Sequence, residues 1–316
     1  MSKQAAQNTT NQITEGVIWK QLLIFFFPIL FGTFFQQLYN TADAIIVGNF
    51  VGKEALASVG GSASTIINLL VGFFVGLSSG ATVIISQYYG ADNRRRVSDS
   101  VHTAIALAIA GGVVIMLIGL VSARFALTAM GTPDDILSLS LTYMKIYYLG
   151  TIPSMIYNMG SGILRAVGDS RRPFYFLVVS AVLNTALDLL FVLRFGMGVE
   201  GVAWATVIAQ AVSALLVIVV LLRTQQAVRL IPRDLRIHLP VLRQIIRVGV
   251  PSALQMAITA FSNVFVQSYI NAFGADCMGG WTAYTKIDQL MLLPMQPLSL
   301  SATTFVGQNL GRGNEP

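Results

Sequence analysis

The chain has 316 residues, of which 54% are hydrophobic and only 11% charged, against roughly a quarter charged in soluble domains. A soluble fold would need a core larger than single domains reach, so the composition points to a membrane protein. A lone cysteine, Cys277, excludes an internal disulfide framework and a Cys-rich metal site.

The first 16 residues are polar and carry one lysine. The apolar segment after them is too long for a signal-peptide core and is read as a retained first span. Eight apolar stretches, each long enough to cross a ~30 Å hydrocarbon layer, are predicted at 17–48, 56–89, 101–123, 140–164, 173–193, 200–222, 244–272 and 279–309. The first contains Pro28 and Gly32, and the last Pro294 and Pro297, so tilt and kinking are expected. The fourth carries Lys145 with Tyr143, Tyr147 and Tyr148, which read as an interfacial aromatic belt. His102 and His238 are expected at the membrane surface, without metal-ligand company.

Placing the N-terminus in the cytoplasm puts fifteen Lys and Arg on that side, Arg165 among them, and only Lys53, Arg124 and Arg194 on the other. Lys145 and Lys286 fall within spans. This is the positive-inside pattern of a multi-pass membrane protein. It also removes the nucleic-acid reading of the net charge of +6, because the charge is spread over every inner loop. The domain layout expected is a cytoplasmic tail (1–16), a six-helix lobe (17–222), an amphipathic basic linker (223–243) and the start of a second lobe (244–316).

The second lobe repeats the first. Pro28 in FFFPIL matches Pro251 in VGVPSAL, NFVG ending at Gly52 matches NAFG ending at Gly274, and Gln87 in SQYYGADN matches Gln308 in GQNLGRGN. The offset drifts by only two residues, from 223 to 221. Spans seven and eight therefore correspond to spans one and two and run the same way across the membrane, as in parallel-repeat transporters.

An ionisable group inside a bilayer costs about 2.5 kcal/mol or more and needs a reason. Asp43, Asp188 and Asp288 fall within predicted spans. Asp43 lies 15 residues beyond Pro28 and Asp188 15 beyond Pro173, both on outward-running helices, which gives them comparable depth in the outer half. Asn184 lies one turn from Asp188 on the same face, and Thr206 sits about 9 Å in from the outer edge of span six. Two acids, an amide and a hydroxyl can converge there to exchange a proton or ligate Na⁺. The alternative is that the acids are hydrogen-bonded links between helices or face water. For Asp288, pairing with Lys286 is an equal reading.

PILFGTFFQQLYNTADAIIVGNFVG, ATVIISQYYGADN, GILRAVGDSRRPF, LNTALDLLFVLRFGMGVEGVAWATVIAQ and FVGQNLGRGN cover most of the chain. Together they resemble the multidrug and toxic compound extrusion (MATE) transporters, DinF-like rather than NorM-like. The resemblance implies an all-α polytopic fold of twelve transmembrane helices in two parallel six-helix repeats, of which eight are present in this sequence and the second repeat is incomplete. It implies no enzyme activity and no cofactor. The implied function is alternating-access export of lipophilic, often cationic drugs in exchange for H⁺ or Na⁺, by a protein that is monomeric when complete and surrounded by membrane lipid.

By the same resemblance Asp43, Asn184, Asp188 and Thr206 match the cation site, with possible Na⁺ at Asp43 and Asp188. Asn158 is a further member nearer the cytoplasmic end, and Pro28 a point of helix bending. Gln36, Tyr39, Tyr143 and Asp288 are candidates for the substrate cavity. Some members carry a glutamate in span seven where this chain has Thr259. The rival reading, a lipid-linked oligosaccharide flippase of related fold, expects several basic cavity residues.

Overall fold

A computed structural model describes residues 13–14, 17–271, 281, 284, 288 and 291–313. In chain order the helices are α1 (Ile18–Ile46), α2 (Lys53–Gly60), α3 (Ser62–Gly90), α4 (Arg94–Ala129), α5 (Asp134–Leu149), α6 (Thr151–Ala166), α7 (Arg171–Leu189), α8 (Gly198–Arg223), α9 (Leu239–Asn271) and α10 (Met295–Arg312). Among the described residues six helical stretches are long and apolar enough to cross a membrane. The chain is an all-α polytopic membrane protein.

Two predicted spans are interrupted. The second is preceded by the short helix α2 and breaks at Gly61, and the fourth is split at Gly150 into α5 and α6. At Gly150 the backbone N–H bonds to Tyr147 at 2.9 Å, and the Thr151 hydroxyl donates to Tyr148 at 2.6 Å. Carbonyls freed by the break are thus satisfied locally, as a low-dielectric surround demands. Within the eighth predicted span, α10 begins only after Pro294.

The fourth-span tyrosines do not form a belt. Tyr143, Tyr147 and Tyr148 are buried in the bundle, while Lys145 is exposed. Spacing of four residues puts Tyr143 and Tyr147 on the inward face of α5, with Lys145 on the other. His102 is also buried rather than at the surface. Its Nδ1 is 2.7 Å from the Ser98 carbonyl, and its Nε2 accepts the Ile231 N–H at 3.0 Å. With the His238 N–H donated to Thr103 Oγ1 at 3.1 Å, this ties the basic linker to α4. Val228 and Leu230 of the linker enter the core, whereas Ile231, Leu235 and Ile237 stay exposed.

The core runs along α3, α4, α6 and α8, with Phe74, Ile85, Ile105, Met159, Ile163 and Leu221 fully buried. Large apolar side chains on the outer faces of α1, α4, α7 and α9, such as Phe31, Val121, Val182 and Ile258, point outward, as in a lipid-facing surface. The most extensive packing is that of α3 against α9 and then α10. Glycines set the α3–α9 distance: a Cβ on Gly76 would lie 2.5 Å from Ala253 backbone atoms, and one on Gly80 would lie 2.5 Å from the Ile245 carbonyl oxygen.

The sequence echo has a structural cause at the basic end of the bundle. A Cβ on Gly90 would lie 2.0 Å from the carbonyl oxygen of Gln308, and one on Gly311 would lie 2.0 Å from that of Gln87. Each helix therefore places its glycine against its counterpart's glutamine backbone. Gly307 meets Ser86 in the same crossing. Gln308 is fully buried and donates from Nε2 to the Ala166 carbonyl at 2.6 Å, which caps the end of α6 from the second repeat. We expect Gly90→Ala and Gly311→Ala each to lower thermal stability in detergent by about 1–3 kcal/mol, the usual cost of overpacking. Gly60→Ala, which meets nothing within 4 Å, leaves the melting transition in place; equal melting of all three variants would contradict this account of the crossing.

Candidate cation site and adjoining cavity

Four helices present one polar face each toward a common column, because residues four apart stack on one side of a helix. From α1 come Asp43, Tyr39 and Gln36, and from α5 come Tyr143 and Tyr147. From α7 come Asp188, Asn184 and Ser180, and from α8 come Thr206, Gln210 and Ser213. Both α1 and α7 change to a π-helical turn just beyond their acids, at Val47–Val51 and Leu190–Arg194. Such turns shift the helical face and recur at functional sites.

At one end of the column the carboxyl groups of Asp43 and Asp188 face each other within side-chain hydrogen-bonding reach. Asp188 is 0% and Asn184 2% exposed. Asn184 Nδ2 lies 3.5 Å from Thr206 Oγ1, which itself donates to the Val202 carbonyl at 3.0 Å. Four buried oxygens here have no hydrogen-bond donor: Asp43 Oδ1, both carboxylate oxygens of Asp188, and Asn184 Oδ1. Two unit negative charges 4 Å apart repel by about 4 kcal/mol at an effective dielectric of 20. A proton shared between the acids, or a small hard cation among the oxygens, relieves that repulsion.

Adjoining this cluster is a cavity of about 380 Å³, lined by Pro28, Gly32, Gln36, Tyr39, Tyr147, Asn158, Gln210 and Gln296 among others. Neither Asp43 nor Asp188 lines it. Tyr39, beside Gln36 and close to Asp43, and Tyr147, beside Gln210, belong to the cavity wall, whereas the acids do not.

The expected site residues are thus partly reassigned by position. Asp43, Asp188, Asn184 and Thr206 come together. Asn158 lies in the cavity wall, where its amide is used on the Ser154 carbonyl at 2.8 Å, and it makes no hydrogen bond to either acid. Gln36 and Tyr39 line the cavity as expected. Tyr143 does not: it lies behind the wall, near Tyr147 and Asp43. Asp288 is half-buried in a helical turn and is not among the lining residues; Lys286, its expected partner, lies outside the described residues. Gln210, Tyr147 and Tyr157 were missed, although Gln210 follows Thr206 by four residues, a same-face signal present in the sequence.

Comparison with known proteins agrees with this architecture. The MatE family model matches residues 28–190 and 251–316. The probable multidrug resistance protein YpnP of Bacillus subtilis is 30% identical over 302 residues, covering 96% of this chain and 67% of its own length. The probable multidrug resistance protein NorM of Thermotoga maritima is 28% identical over 305 residues, covering 94% and 64%. A solved structure described as the outward-facing conformation of a multidrug resistance MATE family transporter of the MOP superfamily superposes with a TM-score of 0.89 at 27% identity, covering 97% of this chain and 68% of that one. The chain spans about two thirds of the length of these relatives. With the family match running through both sequence repeats, the chain belongs to the MatE family of membrane transporters, the multidrug and toxic compound extrusion proteins.

Proposed function

We propose that the protein is a cation-coupled antiporter that exports lipophilic small molecules across the plasma membrane, with its N-terminus in the cytoplasm and Asp43 and Asp188 as the coupling site. The observation that carries this reading is the set of four buried oxygen acceptors without a donor around two facing carboxyl groups. A proton or Na⁺ satisfies that set, and Asn184 adds a neutral oxygen suited to Na⁺.

Coupling acts through α1. Asp43 and Tyr39 share one face of this helix, and Tyr39, Gln36, Gly32 and Pro28 form a wall of the cavity. Pro28 lacks the N–H for a helical bond, so the helix bends most cheaply there. Only Phe25, Ile29, Gly32 and Ile46 of α1 are buried, so bending sacrifices little packing. Cation binding draws Asp43 toward Asp188 on α7, and the wall moves with it. A ligand in the cavity is then displaced without touching the acids. The multidrug relatives support small-molecule export as the task. A flippase holding pyrophosphate would be expected to show several basic wall residues, and among the described residues the cavity wall has one, Arg165.

Two measurements test this. For the purified chain in nanodiscs, replacing K⁺ by Na⁺, or lowering the pH, raises the melting temperature; a ligand at a hundred times its dissociation constant adds about 2.7 kcal/mol. Asp188→Asn abolishes the response. A response that survives unchanged in Asp188→Asn and in Asp43→Asn removes the pair from the coupling site. In everted vesicles, an imposed proton or sodium gradient drives uptake of a fluorescent xanthene dye, either rhodamine 6G or carboxyfluorescein, and whichever gradient acts alone identifies the ion. Uptake that ignores both gradients contradicts antiport.

A further inference from the structure

The topology count places Arg165 among the charges of a cytoplasmic loop, but the structure places it in the last turn of α6, in the wall of the cavity. Its Nε is buried and has no hydrogen-bond partner. A guanidinium held this way is costly unless something compensates the charge.

The ordinary explanations are already taken. As a helix C-terminal residue Arg165 would be expected to serve the free carbonyls of its last turn. Those carbonyls have other donors: Leu164 O accepts from Asp169 N at 2.9 Å, Arg165 O from Gly168 N at 2.9 Å, and Ala166 O from Gln308 Nε2 at 2.6 Å. The nearest acid in sequence, Asp169, is paired with Arg172 at 3.3 Å and also accepts its backbone N–H. Among the described residues the only titratable neighbour of Arg165 is Tyr157, whose hydroxyl donates to the Pro173 carbonyl at 3.2 Å. No carboxylate within the described part of the fold answers its charge.

Among the described residues that line the cavity, Arg165 is also the only charged side chain. The carboxylates that would attract an organic cation, Asp43 and Asp188, are not in that wall, so its described residues offer one positive charge and no negative one. The same wall is mixed: Ser170 and Thr33 supply hydroxyls, while Ile29, Phe174 and Leu177 supply apolar surface. Along α6 the lining positions Ser154, Asn158 and Arg165 span eleven residues, about 16 Å at 1.5 Å per residue.

We propose that this cavity takes amphipathic organic anions, with a carboxylate, sulfonate or phosphate group on Arg165 and the body of the molecule lying along α6 toward Asn158 and Tyr147. A planar guanidinium fork matches the oxygens of such groups, and charge-assisted bonds of this kind are the strong ones. This deepens the export reading above by naming the substrate class, and it replaces the expectation of cationic drugs from the sequence. The same chemistry can come from a soluble compound or from an anionic lipid headgroup.

The test is equilibrium binding to the purified chain in phosphatidylcholine nanodiscs, followed by fluorescence anisotropy. The probes share a scaffold and differ in charge: carboxyfluorescein is anionic and rhodamine 6G cationic. Carboxyfluorescein binds, and Arg165→Gln weakens it by about tenfold or more, the equivalent of one lost charge-assisted hydrogen bond. Arg165→Lys, which keeps the charge and loses the planar fork, binds between wild type and Arg165→Gln, and rhodamine 6G does not lose affinity in Arg165→Gln. Phosphatidylglycerol in the nanodisc weakens carboxyfluorescein if lipid headgroups compete for the site and leaves it unchanged if the site is reserved for soluble anions; either result supports the anion site. Equal carboxyfluorescein affinity in wild type and Arg165→Gln overturns the proposal, as does equal loss in the Gln and Lys variants. No ion gradient enters the measurement, so a failed coupling experiment and a failed anion site are read separately.

Discussion

Inside hydrocarbon, helices gain nothing from hiding apolar surface from one another, so their association rests on close fit. In this protein the fit is tightest where α3 crosses α9 and α10. The chain brings backbone against backbone at Gly76, Gly80, Gly90 and Gly311, and much else is positioned from there. α3 is the helix against which α6 also packs, with the Ser78 hydroxyl donating to the Asn158 carbonyl at 2.8 Å. That contact fixes the cavity face of α6. Through Gln308 and Ala166 the second repeat holds the end of α6 that carries Arg165. This crossing thus sets the shape of a cavity lined mostly by the first six spans and completed by Met256, Gln296 and Leu300.

A second constraint is the separation of the acids from the cavity. Tyrosine side chains provide large apolar bodies with one polar end, so they can form the cavity wall while each hydroxyl keeps a partner, Gln36 beside Tyr39 and Gln210 beside Tyr147. Under the proposed mechanism the cation and the exported molecule never meet. Communication between them is mechanical, carried by α1, which bears Asp43 at one end and Pro28 near the other and leaves most of its surface exposed. The π-helical turns beyond Asp43 and Asp188 touch each other and hold the ends of α1 and α7 together where the acids face.

Much was legible from residue type and spacing because a bilayer leaves few options. Long apolar runs must be helices, intramembrane acids need partners, and residues four apart share a face. These rules placed Asp43, Asp188, Asn184 and Thr206 together, and the two echo segments, SQYYGADN and GQNLGRGN, meet at one helix crossing. They failed where burial is decided by neighbours far off in the chain. Tyr143 and Tyr147 have the composition of an interfacial belt, yet α8 and α1 cover them. His102 looks like a surface residue until the linker returns, more than a hundred residues later, to donate the Ile231 N–H to it.

Sequence alone therefore determined the membrane environment, the helical class and the membership of the acid cluster, since each follows from composition or from periodicity along one helix. The tertiary structure alone decided which polar residues face the cavity and which stand behind it. It also moved Arg165 from a loop charge to the single charged group among the described residues of the cavity wall. That distinction depends on helices packed across the bundle, and no spacing along the chain encodes it.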